Sequence, residues 1–239
     1  MPTAAVVVIG DEILSGKFPD ENGTHLIRRL RALGCDLRRL VVVSDDVADI
    51  ADEVRRCAAA HDHVLTTGGV GPTHDDRTLE GVALAFGVPL ETRSELVALL
   101  DHFGLARSET NHRMATVPAG SELVTVPRSS FPIVRTRNVW IFPGIPRLMH
   151  SKFEEIASRF AGEQVRTDRL YTDQPETEIA AVLMAVAERH PSVVIGSYPR
   201  FGEGDYKVIV TLESRDDPAL AAASAELRSA LSLVAPNVR

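Results

Sequence analysis

Strands and helices alternate along the first part of the chain, and this alternation constrains the fold more than any other feature. Residues 4–9 form a continuous apolar run, which is typical of a strand covered on both faces. Strand-like runs at residues 37–43 and 63–66 follow, separated by segments of helical spacing at residues 26–33 and 47–58. Short connections of this kind imply right-handed crossovers between parallel strands. The sequence therefore predicts an α/β fold with a mainly parallel sheet.

The last third of the chain shows a different order of elements. Two strand-like segments, at residues 193–198 and 206–212, are predicted to form an antiparallel pair. Another strand-like segment at residues 165–172 precedes them, and segments of helical periodicity lie between and after these strands. We predict that this part is a small α+β subdomain, which divides the chain into domains at residues 1–162 and 163–239.

Composition restricts the classes of function. The formal net charge of −7 argues against broad binding of nucleic acids or of anionic membranes. Cys35 and Cys57 lack CxxC spacing, so the sequence indicates neither a disulfide framework nor a structural zinc site. The N-terminal apolar run is too short to cross a membrane, and no basic segment precedes it. We therefore expect a cytoplasmic protein that binds a small molecule, with neither nucleic acid nor membrane as partner.

A glycine-rich loop directly follows the third strand-like run, with the sequence Thr67-Gly68-Gly69-Val70-Gly71-Pro72-Thr73. Glycines lack a Cβ atom, so backbone N–H groups can approach an anion closely. The N-terminus of the following helix adds partial positive charge. The loop matches neither a Walker motif nor a GxGxxG fingerprint, and a tight strand-to-helix turn is the alternative. Because ligands bind at the carboxyl ends of strands in such sheets, we predict a phosphate site here.

Carboxylates follow the same strand ends. Asp75 and Asp76 adjoin the glycine loop, where a divalent metal ion could join carboxylate to phosphate; an acidic first turn of a helix is the alternative. Asp11 and Glu12 follow the first strand, where they could form a solvated turn, bind a heterocycle or hold a metal ion. Asp45 lies in a Ser-Asp-Asp segment that is most simply explained as a helix cap.

Four separated motifs, in this order, resemble the molybdopterin-binding domain family. They are Gly10-Asp11-Glu12-Ile13-Leu14-Ser15-Gly16, Asp20-Glu21-Asn22, residues 67–76 and Phe142-Pro143-Gly144-Ile145-Pro146. That family includes molybdopterin adenylyltransferases, the N-terminal domain of competence/damage-inducible protein A and the N-terminal domain of eukaryotic FAD synthase, and the sequence is most similar to the last. The resemblance implies a three-layer α/β/α fold and a homo-oligomer, either a dimer or a trimer.

The resemblance also implies roles for individual residues. It places Asp45, Asp76 and Glu12 in a catalytic set, with Asp76 and Asp45 as ligands of a divalent metal ion. The ligand-binding positions that it implies are Gly10, Asp11, Ser15, Gly16, Asn22, Thr67, Gly68, Gly69, Gly71, Pro72, Thr73, Asp75, Pro143, Gly144 and Pro146.

Three functions are compatible with these motifs. The first, which the resemblance favours, is metal-dependent hydrolysis of a nucleotide pyrophosphate such as FAD or ADP-ribose. The second is binding or adenylylation of molybdopterin in molybdenum-cofactor synthesis, and the third is a non-catalytic binding module. Neither a deamidase domain nor an FAD-synthesising domain follows, so adenylyl transfer to make FAD is not expected.

Overall fold

The computed structural model describes residues 1–104, 109–127, 129–200, 202 and 204–235, with the backbone alone for residues 109–111 and 129–130. The chain divides into two compact units, Met1–Glu163 and Gln164–Arg239. Each unit has a hydrophobic core of its own. In the part of the chain so described, no helix combines the length and the apolar composition that crossing a membrane requires.

The first unit contains most of the secondary structure. Its elements, in chain order, are β1 (Thr3–Ile9), α1 (Asp11–Leu14), α2 (Glu21–Ala32), β2 (Asp36–Val43), α3 (Val47–Ala60), β3 (His63–Thr67), α4 (Thr78–Phe86), β4 (Leu90–Thr92), α5 (Ser94–His102), α6 (Glu109–Met114), β5 (Thr116–Pro118), β6 (Glu122–Val126), β7 (Ser129–Thr136), β8 (Val139–Phe142) and α7 (Pro146–Ile156), followed by a 3₁₀ helix at Ala157–Phe160.

A six-stranded sheet in the order β2-β1-β3-β8-β7-β6 forms the centre of this unit. The pairs from β2 to β8 are parallel, whereas β7 is antiparallel to both β8 and β6. The mainly parallel sheet predicted from the sequence is therefore confirmed. The antiparallel edge arises because β6, β7 and β8 follow one another directly, without a helix that could carry the chain back across the sheet.

Helices cover both faces of this sheet. In β1, Val6 and Val8 pack in one apolar cluster with α2 and α7, whereas Val7 and Ile9 pack in a second cluster with α3 and α4. Alternate residues of a strand point to opposite faces, so a strand that is apolar at every position is buried on both. The continuous apolar run of β1 thus accounts for the three-layer α/β/α arrangement.

The second unit is smaller. Its elements are β9 (Arg166–Thr172), α8 (Glu176–Arg189), β10 (Val194–Pro199), β11 (Val208–Ser214) and α9 (Asp217–Ala230). The strands form an antiparallel sheet in the order β10-β11-β9. The antiparallel pair predicted in this region is confirmed as β10 and β11. Both helices pack apolar residues against this sheet, among them Ile179, Leu183 and Leu227.

Candidate functional site

The carboxyl ends of three parallel strands come together in the first unit. Gly68, which follows β3, has φ +103°, and a Cβ atom on it would lie 2.1 Å from the carbonyl oxygen of Ile9 in β1. A Cβ atom on Gly144, which follows β8, would lie 3.2 Å from Cα of Gly68. The loops after the three strands therefore touch through their backbones. Glycine is required at Gly68 because any side chain there would collide with the neighbouring strand.

Buried side chains hold the ends of β3 and β8 together. The amide Nδ2 of Asn22 donates to Thr67 Oγ1 at 2.8 Å and to the carbonyl oxygen of Gly144 at 2.7 Å. Thr67 Oγ1 in turn donates to the carbonyl oxygen of Pro143 at 3.1 Å. Asn22 and Thr67 were predicted as ligand contacts; the structure gives them a bracing role, and their contact with a ligand stays a prediction.

The glycine loop is closed by hydrogen bonds at its far end. Asp76 Oδ2 accepts from the backbone N–H and from the hydroxyl of Thr73, at 2.7 and 2.5 Å. Thr78 Oγ1 donates to the carbonyl oxygen of Gly68 at 2.7 Å, and Thr78 N donates to that of Gly69 at 3.0 Å. Helix α4 begins at Thr78, so Asp76 lies before the helix. Asp76 is therefore not part of an acidic first helical turn, which was the alternative interpretation.

Between these hydrogen bonds, part of the loop backbone stays available. Among the described residues, the N–H groups of Gly69, Val70 and Gly71 have no hydrogen-bond partner. Gly69 has φ +59°, a conformation that glycine adopts at little cost. Successive unpaired N–H groups in such a turn form a concavity that suits an anion.

The glycine loop forms one end of a cavity of about 880 Å³. Of the predicted site residues, those lining it are Glu12, Gly68, Gly69, Gly71, Pro72, Asp76, Pro143 and Gly144. The remaining wall is mostly apolar and includes Leu79, Leu96, Phe103, Met114, Val117, Phe131, Pro132, Val134, Ile141, Ile145 and Leu148. A cavity of this size suits a ligand of nucleotide dimensions, with a polar end and a largely apolar body.

Carboxylates cluster beside the glycine end of the cavity. Asp45 Oδ2 accepts from the backbone N–H of Asp11 at 2.9 Å. Burial raises the pKa of Asp45, and the negative charges of Asp11, Glu12 and Asp75 raise it further. The hydrogen bond from the backbone of Asp11 lowers this pKa, but by less. The Ser44-Asp45-Asp46 segment caps α3 as predicted, with Asp46 as the residue that accepts from two backbone N–H groups, so Asp45 itself is not the cap.

The chemistry of this cluster fits a divalent metal ion, because magnesium and similar ions prefer carboxylate oxygens. Glu12 folds back over Gly10, where a Cβ atom would lie 2.6 Å from its carboxylate. Yet no three His, Cys, Asp or Glu side chains of the described residues are arranged as ligands of one ion. An ion would therefore need ligand oxygens from a bound phosphate or from water to complete its coordination.

Other predicted residues lie near the site but outside the cavity wall. Ser15 Oγ donates to the carbonyl oxygen of Glu12 at 3.3 Å, and Gly16 closes the turn after α1 with φ +73°. Pro146 is the first residue of α7. Asp75 is exposed, and a hydrogen bond from Thr73 lowers the pKa of its carboxyl group. These positions shape the loops, and their ligand contacts stay predictions.

Two basic residues at the site were missed by the sequence interpretation. Arg113 in α6 donates to the carbonyl oxygens of Thr73 and Asp76, at 3.3 and 3.4 Å, and pairs with Glu80 at 3.0 Å. Lys152 in α7 is 4% exposed and lines the cavity. A signal for Lys152 existed, because it occupies an apolar-face position between the buried residues Met149 and Ile156. Nothing in the sequence connects Arg113 with the loop.

Comparison with known families gives two matches that together cover most of the chain. Residues 5–166 match the family described as "Probable molybdopterin binding domain". Residues 164–236 match the family described as "FAD synthase, middle domain". The first match includes every predicted site residue.

Individual relatives agree with these matches. The chain is 33% identical to a "Probable FAD synthase" of Caenorhabditis briggsae, over 96% of this chain and 49% of that protein. It is 35% identical to a "CinA-like protein" of Myxococcus xanthus, over 93% of this chain and 58% of that protein. The chain thus spans about half the length of the curated relatives it matches. The crystal structure of CinA from Thermoplasma acidophilum superimposes with a TM-score of 0.61 and 29% identity, covering 66% of this chain and 98% of that one.

Proposed function

The chain belongs to the CinA-like molybdopterin-binding domain family, and from that premise we propose that it hydrolyses a nucleotide pyrophosphate with the help of a divalent metal ion. The substrate is FAD or a related dinucleotide such as ADP-ribose. Water attacks one phosphorus atom, the phosphoanhydride bond breaks, and FAD yields AMP and FMN.

One observation carries the proposal: a single cavity combines unpaired loop N–H groups and carboxylates at one end with an apolar body of nucleotide size. The N–H groups of Gly69, Val70 and Gly71 would bind phosphate oxygens and stabilise the charge that develops on them during hydrolysis. The apolar wall, including Phe131 and Leu148, would hold a flat ring.

The charges at the site support a need for a metal ion. The negative charges of Asp11, Glu12 and Asp75 act on Asp45 beside the loop, so a doubly charged pyrophosphate would be repelled without a cation. Asp45 and Glu12 are the side chains that would hold the ion, together with Asp76 if its bond to Thr73 opens. A bound divalent ion neutralises phosphate charge and lowers the pKa of a water ligand.

Whichever of Glu12 and Asp45 is not coordinated to the ion would be placed to accept a proton from the attacking water. His74, a further candidate, has a side chain that is 98% exposed and lies on the outside of the loop.

Molybdopterin binding or adenylylation is the second candidate. The match of residues 5–166 to the molybdopterin-binding description favours it, because the same loop and cavity could accept a pterin phosphate. A non-catalytic module would use the same cavity without turnover.

The test is to incubate metal-free protein with FAD, ADP-ribose or ATP, add single divalent ions, and resolve the products by chromatography. We expect AMP from FAD or ADP-ribose only when an ion is present, and about a hundredfold less from Asp45→Asn. The exposed variant Asp52→Asn serves as the matched control. In a further sample that contains ATP together with molybdopterin, consumption of ATP without hydrolysis of the dinucleotides in the other samples would favour adenylylation. Binding of all ligands without any product would contradict hydrolysis.

A further inference from the structure

Lys152 is a buried cation in the wall of the cavity. It lies on α7, almost two turns after Pro146, the first residue of that helix, and only 4% of its surface is exposed to solvent. Its ammonium group donates to the carbonyl oxygens of Phe131 and, at 3.4 Å, of Pro132, both in β7. An ammonium has three donors, so these contacts leave capacity for one more acceptor.

No carboxylate of the described residues pairs with this ammonium. The other ionisable side chains that line the cavity are Glu12 and Asp76, at its glycine end. On α7 and the elements packed against it, Glu154 pairs with Arg29 and Glu122 pairs with Arg135. The rings of His25 and His150 stack on each other, and burial lowers the pKa of His25. Burial alone lowers the pKa of Lys152 to about 8. A buried charge without a partner is costly, which indicates a use other than stability.

The position of Lys152 along the cavity defines what it can contact. Ile145 lies beside the glycine end, because its neighbour Gly144 touches Gly68. Lys152 follows Ile145 by seven positions, which corresponds to roughly 10 Å along the helix at 1.5 Å per residue. Its ammonium contacts the carbonyl oxygens of Phe131 and Pro132, two residues of the cavity wall away from the glycine loop, so it lies in the apolar body of the cavity.

We propose that Lys152 is a specificity-determining residue that donates to a carbonyl oxygen on the ring of the bound ligand. A ring without such an oxygen would leave the ammonium desolvated and unpaired, whereas an oxo-substituted heterocycle such as a flavin or a pterin supplies the acceptor. Adenine and ribose carry no ring carbonyl. The site then prefers FAD over ADP-ribose. This inference rests on the proposed function for the placement of the phosphates at the glycine loop.

Binding of FMN and of ADP-ribose by calorimetry tests this assignment independently of turnover. In Lys152→Met we expect the Kd for FMN to rise by about 10- to 100-fold, as for loss of a hydrogen bond to a charged group. The Kd for ADP-ribose should change less than twofold. Lys152→Gln, which keeps a donor without the charge, should fall between. Arg147→Met removes an exposed cation from the same helix and is the matched control.

Dependence on pH provides a readout that a purely structural role would not produce. The phosphate of FMN is fully ionised above pH about 7. From there to pH about 8 the ammonium is charged and FMN affinity should be constant, and above pH about 8 the native chain should lose affinity as Lys152 loses its proton. The Lys152→Met variant should lack this step. This measurement needs only the native chain if the variants do not fold.

The possible outcomes separate the two proposals. Unchanged FMN affinity in Lys152→Met, an equal loss for FMN and ADP-ribose, or no FMN binding by the native chain would each overturn the role of Lys152. Native protein that binds FMN through Lys152 but releases no AMP from FAD would overturn the hydrolysis and leave the role of Lys152 standing.

Discussion

Replacing Gly68 by alanine tests whether the close approach of β1 and β3 builds the site. The new Cβ atom would lie 2.1 Å from the carbonyl oxygen of Ile9, whereas carbon and oxygen atoms in weak contact lie about 3.3 Å apart. The adjacent strands β1 and β3 would therefore have to move apart by about 1 Å to remove this steric overlap. The φ of +103° adds a cost of about 1–2 kcal/mol for any residue other than glycine.

The total loss can be estimated from these terms. Moving the loop away from Ile9 also weakens the bond from Gly68 N to the carbonyl oxygen of Phe142, and a hydrogen bond is worth about 1 kcal/mol. With the steric term, we expect Gly68→Ala to lower the free energy of unfolding by about 4 kcal/mol, a large part of the ~5–15 kcal/mol of a typical domain. A 1 Å displacement should also lower kcat/KM about a hundredfold.

Gly87→Ala is the matched control. Gly87 also has a positive φ, +63°, but a Cβ atom there would meet no atom within 4 Å, so only the conformational cost of about 1 kcal/mol applies. Urea unfolding followed by fluorescence compares both variants, because the one tryptophan of the chain, Trp140, is buried in β8 beside β3. Equal losses of stability for the two variants would refute the steric reasoning.

Three further variants test the loop and the division of the chain. Asp76→Ala should abolish hydrolysis while lowering the free energy of unfolding by only about 1 kcal/mol, because its bonds to Thr73 are near the surface; full activity would remove Asp76 from the mechanism. Gly69→Val, with φ +59° and a Cβ atom 2.6 Å from Thr78 Oγ1, should weaken FAD and ADP-ribose binding alike in calorimetry; unchanged affinities would leave the loop a structural turn. A chain ending at Glu163 should retain hydrolysis, since the cavity-lining residues among those that the structure describes all precede that point; ligand binding without turnover would place catalytic groups in residues 164–239.

The central sheet and the glycine loop were predictable because their signals are local. The uninterrupted apolar run of β1 reports burial on both faces, and glycines directly after β3 report a close approach of backbones. Both properties depend on neighbours in the sequence, so periodicity and residue type suffice to recognise them.

The bracing contacts and the cavity wall were not predictable in this way. Asn22 bonds to Gly144 across 122 residues, and neither residue type nor spacing specifies that partner. The wall draws on α6 and β7, which lie in a region, residues 104–137, where the sequence shows no long periodic segment. The structure forms a hairpin there from β6 and β7, while residues 105–108 and 128 lie outside the described residues. Lys152 could have been noticed as a lysine on an apolar face.

The central claim is that one cavity holds the phosphates at the glycine loop and the ring in its apolar body. A crystal structure of the chain with FMN and a divalent ion tests it most directly. We expect phosphate oxygens within about 3.2 Å of the backbone nitrogen atoms of Gly69, Val70 or Gly71, which is the usual upper limit for an N–H···O hydrogen bond. We also expect the ring to lie beside Phe131 and Leu148. Phosphate bound away from the loop, or a ring exposed to solvent, would contradict it.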